Sequence, residues 1–164
     1  MTEAARKLDD LLLLGETPEY LVAVHRNVMV MLIGGAIDSS FLRLSLLGHH
    51  KALEYEPSGY GVVTIAEKGA RIPPPEIRDE ASKLRKRTQH MLRGQSVIVG
   101  GDGFFASTMR AVITGIVAMA QSRVPMKMTG DLREAAQFVG EKLGYDEALV
   151  DELHDVLVEL RSGR

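Results

Sequence analysis

The chain has 164 residues, 45% hydrophobic and 26% charged, a composition suited to one compact domain with a core large enough to need no staples. It contains no cysteine, which excludes a disulfide framework, a thiolate metal site and cysteine catalysis. A formal net charge of -2 argues against wholesale nucleic-acid binding, so charge is read region by region. The N-terminal stretch MTEAARKLDDLLLLGE lacks a basic start followed by a long apolar core, and no later segment suits a bilayer; both point to a cytoplasmic protein without membrane insertion.

In chain order, Ala4 to Leu14 reads as a short helix with Leu8, Leu11 and Leu12 on one side, closed by Gly15 and Pro18. YLVAVHRNVMVMLIGG holds two apolar runs around Arg26-Asn27, which predicts antiparallel strands Tyr20–His25 and Val28–Ile33 with Asn at positive φ in the tight turn. After Asp38, Leu42, Leu46, His49 and Leu53 recur at i, i+4, i+7 and i+11, the spacing of one helical face. YGVVTIA is a buried-strand run, and EKGARIPPP is a rigid loop delivering a helix whose inner face is Ile77, Ala81, Leu84, Thr88 and Met91.

QSVIVGGDG predicts the next strand with a glycine exit, followed by a helix in FFASTMRAVITGIVAMAQ. With only Arg110 charged, this helix is expected to be buried nearly all round, or to show an apolar face to another subunit. VPMKMTG predicts a weaker strand, and Asp131 caps a helix containing Leu132, Ala136, Val139 and Leu143. Asp146 to Arg161 carries Leu149, Leu153, Val156 and Leu160 at helical spacing and forms a separate terminal helix. Such alternation of elements predicts an α/β fold.

This order, with the landmarks EYLVAVHRNVMVMLIGGAID, GYGVVTIAE, SVIVGG and MTGDLREAAQFVGEKLG, resembles the STAS domain of bacterial anti-sigma-factor antagonists, and more closely its divergent STAS-like relatives, over roughly Glu19 to Gly144. The resemblance implies a ββαβαβαβα domain with a central mixed sheet over residues 19–144; the helical spacings outside it make 1–18 an N-terminal helical extension and 145–164 a C-terminal acidic amphipathic helix. In phosphorylation-controlled members an Asp-Ser-Ser or similar motif follows the third strand and starts the second helix of the domain. Here Asp38-Ser39-Ser40 follows the second predicted strand, and the matching position, EKGARIPPPEIR, offers no Ser or Thr at the helix start, so the resemblance implies that the usual switch is absent.

Asp38, Ser39 and Ser40 are therefore read as a helix cap, a role worth about 1 kcal/mol. A nucleophilic serine needs a base and oxyanion donors, and no G-x-S-x-G motif surrounds them. Gly100, Gly101 and Gly103, between a strand and a helix, imitate a dinucleotide fingerprint and are weak cofactor-binding candidates. The acid expected about 20 residues on and the Walker lysine are both missing, which favours glycines serving a tight turn. Histidines 25, 49, 50, 90 and 154 are scattered, and His49-His50 point about 100° apart on a helix, so no metal pair is expected.

Charge supplies a contrast: Lys83 to Arg93 holds five Lys/Arg and no acid, whereas Tyr145 to Arg161 holds six acids and one Arg. Both suit solvated helix faces, or the acidic helix docks near the basic one within a chain or between chains. Lys83, Arg85, Lys86, Arg87 and Arg93 are the candidate partner-binding residues, and nucleic acid is disfavoured because aromatic residues make up only 5% of the chain. The expectation is a non-catalytic, cofactor-free protein-interaction or scaffold module of bacterial regulation that binds an unidentified protein and self-associates. The alternative is a small-molecule domain, nucleotide or lipid, using the Gly100–Gly103 turn or the apolar helix after it.

Overall fold

The runs on either side of Arg26-Asn27 pair over their whole length and organise the sheet. In the computed structural model, which describes residues 10–164, the strands are β1 (Leu11–Glu16), β2 (Tyr20–His25), β3 (Val28–Ile33), β4 (Tyr60–Ala66), β5 (Leu92–Val99) and β6 (Met126–Thr129). The helices are α1 (Ser39–Tyr55), α2 (Pro75–Thr88), α3 (Gly103–Met119), α4 (Leu132–Leu143) and α5 (Glu147–Ser162). The hairpin boundaries are those the sequence predicts, but the positive φ in its turn belongs to Arg26, at 53°, and not to Asn27. Asn27 is buried instead, donating from Nδ2 to Gly59 O and accepting at Oδ1 from the Tyr145 hydroxyl.

The six strands lie in sequence order, β1-β2-β3-β4-β5-β6, antiparallel across β1–β2 and β2–β3 and parallel from β3 to β6. This is a mixed sheet in an α/β fold. Because each β-α-β crossover advances one strand in the same direction, right-handed connections place α1, α2 and α3 on one face. The chain then returns on the other face through α4 and α5. Burial follows that division: Leu21, Ala23, Val30, Val63, Ile65 and Ile98 pack against Ala135, Val139, Leu153 and Leu157. On the opposite face Tyr20, Val22, Met29, Tyr60 and Val62 pack against Phe41, Leu42 and Ala52. Strands covered on both faces read as continuous apolar runs, which is why YLVAVH and YGVVTIA show no polar alternation.

Three expectations are corrected. Leu11 to Leu14 are not helical: they belong to β1, an edge strand paired with β2, and the part of the predicted Ala4–Leu14 helix before residue 10 lies outside the described residues. The C-terminal helix does not stand apart from the domain, since Leu153, Val156 and Leu157 are buried and two of them belong to the core under α4. Nor is α3 buried all round. Only Ala106 and Met109 are buried along it, and Phe104 at its first turn is 87% exposed. Helix α3 covers the sheet near β5 with those two side chains and lifts away beyond them, with Val112, Ile113, Ile116 and Val117 half-covered.

Candidate functional site

The lift of α3 leaves a groove between the sheet and α1, α2 and α3, with about 170 Å³ of room. Its floor is the alternate residues of three parallel strands, Met29 and Met31 from β3, Val62 and Thr64 from β4, and Gln95 from β5. Phe41, Leu42 and His49 of α1, Ala81 and Leu84 of α2, and the half-covered apolar residues of α3 form its walls. The lining is mostly apolar and, among the described residues, contains no Asp or Glu. Exposed Arg71 and part-buried Arg85 are its two cations.

Arg85 is placed inward by helical spacing, since Ala81, Arg85 and Thr88 recur at i, i+4 and i+7. Its guanidinium donates to Gln95 Oε1 and, at 3.1 Å, to Ser122 Oγ, both neutral acceptors, and Nε is buried without a hydrogen-bond partner. Burial lowers its pKa from the ordinary guanidinium value, with Tyr60 the opposing influence and no carboxylate of the described residues contributing; an arginine nevertheless stays charged. Two further polar atoms on the lining are buried and unpartnered, Thr64 Oγ1 and His49 Nδ1. Tyr60, pushed up to about 12 by burial, keeps its proton and donates to Thr88 O at 3.3 Å. His49 is lowered by burial and by its neighbours His50 and His90, which favours the neutral ring.

The histidines are less scattered than the sequence implies. His49 lies with its ring centroid 5.3 Å from that of His50 and 6.4 Å from that of His90. Among the described residues, however, no group of three His, Asp or Glu side chains is arranged to hold a metal. Spacing along the helix does not reveal the contact with His90, which the short 3₁₀ turn Gln89–Met91 brings against α1.

At the start of α1 the cap is Asp38 alone, whose Oδ1 accepts from Phe41 N at 2.9 Å. Ser39 Oγ donates to Glu80 Oε2 on α2 at 3.0 Å, and Ser40 Oγ accepts from Arg43 at 2.9 Å. With β1 ahead of the hairpin the motif follows the third strand of the sheet, not the second, although α1 is the first helix of the described residues. At the other turn, Gly101 and Gly103 have φ of 76° and 69°, in the region that favours glycine. A Cβ on Gly100 would come within 3.2 Å of Lys68 N. These glycines are accounted for by the turn and its close approach to the loop after β4.

The basic run does not form one face. Lys83, Lys86 and Arg87 are exposed on α2, with Lys83 paired to Asp79 at 3.1 Å, whereas Arg85 faces the groove. Arg93 lies on β5 and donates to Ser58 O. The acidic helix α5 sits across the sheet from α2, so the two do not dock within one chain. Its acids meet other cations: Asp151 pairs with Arg133 and Glu152 with Arg26. Among the described residues no helix is long and apolar enough to cross a membrane. No family model matches the chain, and no curated protein matches it.

Thr64, Gln95 and His49 share the groove without standing out in the sequence as a binding set. Their signal is a lone polar residue on the inward-facing parity of an otherwise apolar strand or helix face.

Proposed function

We propose that the chain is a non-catalytic binding domain of STAS-like type that holds a small, largely apolar molecule in the groove between the sheet and α1 to α3. The observation that carries this reading is the groove itself: concave, mostly apolar, with a few convergent polar groups, which is the usual make-up of a small-molecule site. Its room is close to that of a cavity of about 150 Å³ known to accept benzene. The Gly100–Gly103 turn adds no nucleotide site to this reading, because its glycines are explained by backbone conformation.

The test is thermal unfolding with octanol, octanoate and a nucleoside triphosphate. Octanol or octanoate is expected to raise Tm, the nucleotide to leave it unchanged, and Ala81→Phe, which fills the groove, to abolish the rise. No response to either eight-carbon probe in the folded wild type would end the reading.

A second reading, a module that binds a protein or a second copy of itself, is favoured by the outer side of α3. Phe104, at its first turn, is 87% exposed, and a large apolar side chain left in solvent at a helix end can serve as an anchor for a partner surface. Sedimentation velocity over a concentration series tests it, with a monomer throughout counting against self-association.

A further inference from the structure

Resting on the reading of the groove as a small-molecule site, we propose that its ligand is a monocarboxylate with a compact apolar body, its carboxylate held by Arg85. The groove carries a charge imbalance. A guanidinium taken out of water is costly unless a charge opposes it and its N–H groups are bonded. Arg85 has two neutral acceptors, Gln95 Oε1 and Ser122 Oγ, an unpartnered Nε–H, and no described carboxylate as partner. Among the described residues no acid lines the groove. An anion entering it therefore meets a cation already partly desolvated and already oriented by Gln95 and Ser122.

The charge count and the chemistry of the other polar atoms narrow the anion. One part-buried guanidinium balances one negative charge, whereas a phosphate monoester near neutral pH brings close to two into an apolar site. Planar carboxylates also match the guanidinium fork with two parallel hydrogen bonds. Thr64 Oγ1, unpartnered on the same floor, supplies a hydroxyl donor. The remaining lining, Met29 on the floor and Phe41, Ile113 and Ile116 in the walls, offers an alkyl or aryl body only dispersion and burial. Arg71, exposed on the lining, adds a positive potential that favours the approach of anions.

The experiment titrates the full chain with octanoate, octanol and octyl phosphate by isothermal titration calorimetry, for wild type, Arg85→Met and Arg85→Lys. Octanoate is expected to bind wild type at least about tenfold more tightly than octanol, the scale of a hydrogen-bonded charge pair, and more tightly than octyl phosphate. Arg85→Met keeps the packing volume and should bring octanoate and octanol level, while Arg85→Lys should keep the preference for octanoate. Equal binding of octanoate and octanol by wild type, or a preference that survives in Arg85→Met, overturns the carboxylate assignment and leaves the apolar groove standing. Preference for octyl phosphate overturns it in favour of a phosphate ligand. Absence of binding by all three overturns both the assignment and the groove reading. Should Arg85→Met lose its fold by circular dichroism, the wild-type comparison of octanoate with octanol still decides.

Discussion

The Tyr20 hydroxyl donates to Asp38 Oδ1 at 3.1 Å, and that same oxygen accepts from Phe41 N, so one carboxylate fastens the start of α1 to strand β2. The phenol is raised above its ordinary pKa by burial and by this carboxylate, so it stays a donor at neutral pH. Asp38→Ala is expected to cost about 1–2 kcal/mol of stability in urea unfolding, the range of a helix cap with one added hydrogen bond. Ser39→Ala and Ser40→Ala, whose hydroxyls meet only exposed side chains, should each stay within about 0.5 kcal/mol. A serine variant as destabilising as Asp38→Ala would contradict the assignment of the cap to Asp38.

Two buried histidines give stability a pH dependence of known sign. His25, 1% exposed, is lowered by burial in β2, which outweighs the opposing pull of Glu152, 3.5 Å away; Arg26 lowers it further and Asp10 opposes. His49 is lowered by burial and by His50 and His90. When the folded pKa lies below the unfolded value of about 6.5, the unfolded chain binds more protons between the two, and stability rises with pH there. The contribution is therefore complete above about 6.5 and lost as pH falls through the folded values. Urea midpoints at pH 7.5 should exceed those at pH 5, and His49→Leu should shrink that difference. A midpoint independent of pH over this range would show that neither ring is held neutral.

What the sequence made legible was local periodicity. Strands β2, β3 and β4 and the Asp131 cap of α4 lie where their patterns put them, because strands covered on both faces and Asp before a helix are short-range signals. Leu11 and Leu12 misled because their spacing from Leu8 fits a helix, while pairing with β2, which makes them a strand, is a contact the pattern does not contain. The apolar composition of α3 could not say how much of it has a neighbour; that depends on how the helix sits over the sheet. Arg85 lay within an exposed-looking basic run, although its i+4 distance from Ala81 placed it on the inner face. The groove joins strands and helices distant in sequence, and only tertiary packing assembles it.

Helix α3 offers two kinds of position for the same kind of substitution. Phe104→Glu at a fully solvated first turn should leave Tm nearly unchanged, because little apolar burial is lost, and should reduce any self-association seen by sedimentation. Val112→Glu and Ile116→Glu put a carboxylate into the groove wall and should each destabilise by about 1–3 kcal/mol. Equal effects at all three positions would mean that the helix packs differently from the arrangement described.

The residues of the basic run on α2 have different surroundings and should separate on mutation. Lys86 and Arg87 are exposed, so Lys86→Glu with Arg87→Glu should keep stability within about 1 kcal/mol and, if this face binds an acidic partner, should weaken capture most at low salt. Arg85→Glu is a different experiment: it sets a carboxylate beside Gln95 Oε1 and the apolar floor, with loss of the Ser122 contact, and should destabilise by about 2–4 kcal/mol. Combining all three reversals confounds a surface with a groove. Truncation before Tyr145 does not unmask the basic face, because α5 lies across the sheet from it and Leu153 and Leu157 are removed from the core; that variant should fail to unfold cooperatively. Urea titrations of the double reversal, Arg85→Glu and the truncation, read by circular dichroism, check all three. An Arg85→Glu chain as stable as the double reversal would place Arg85 in solvent and withdraw it from the groove.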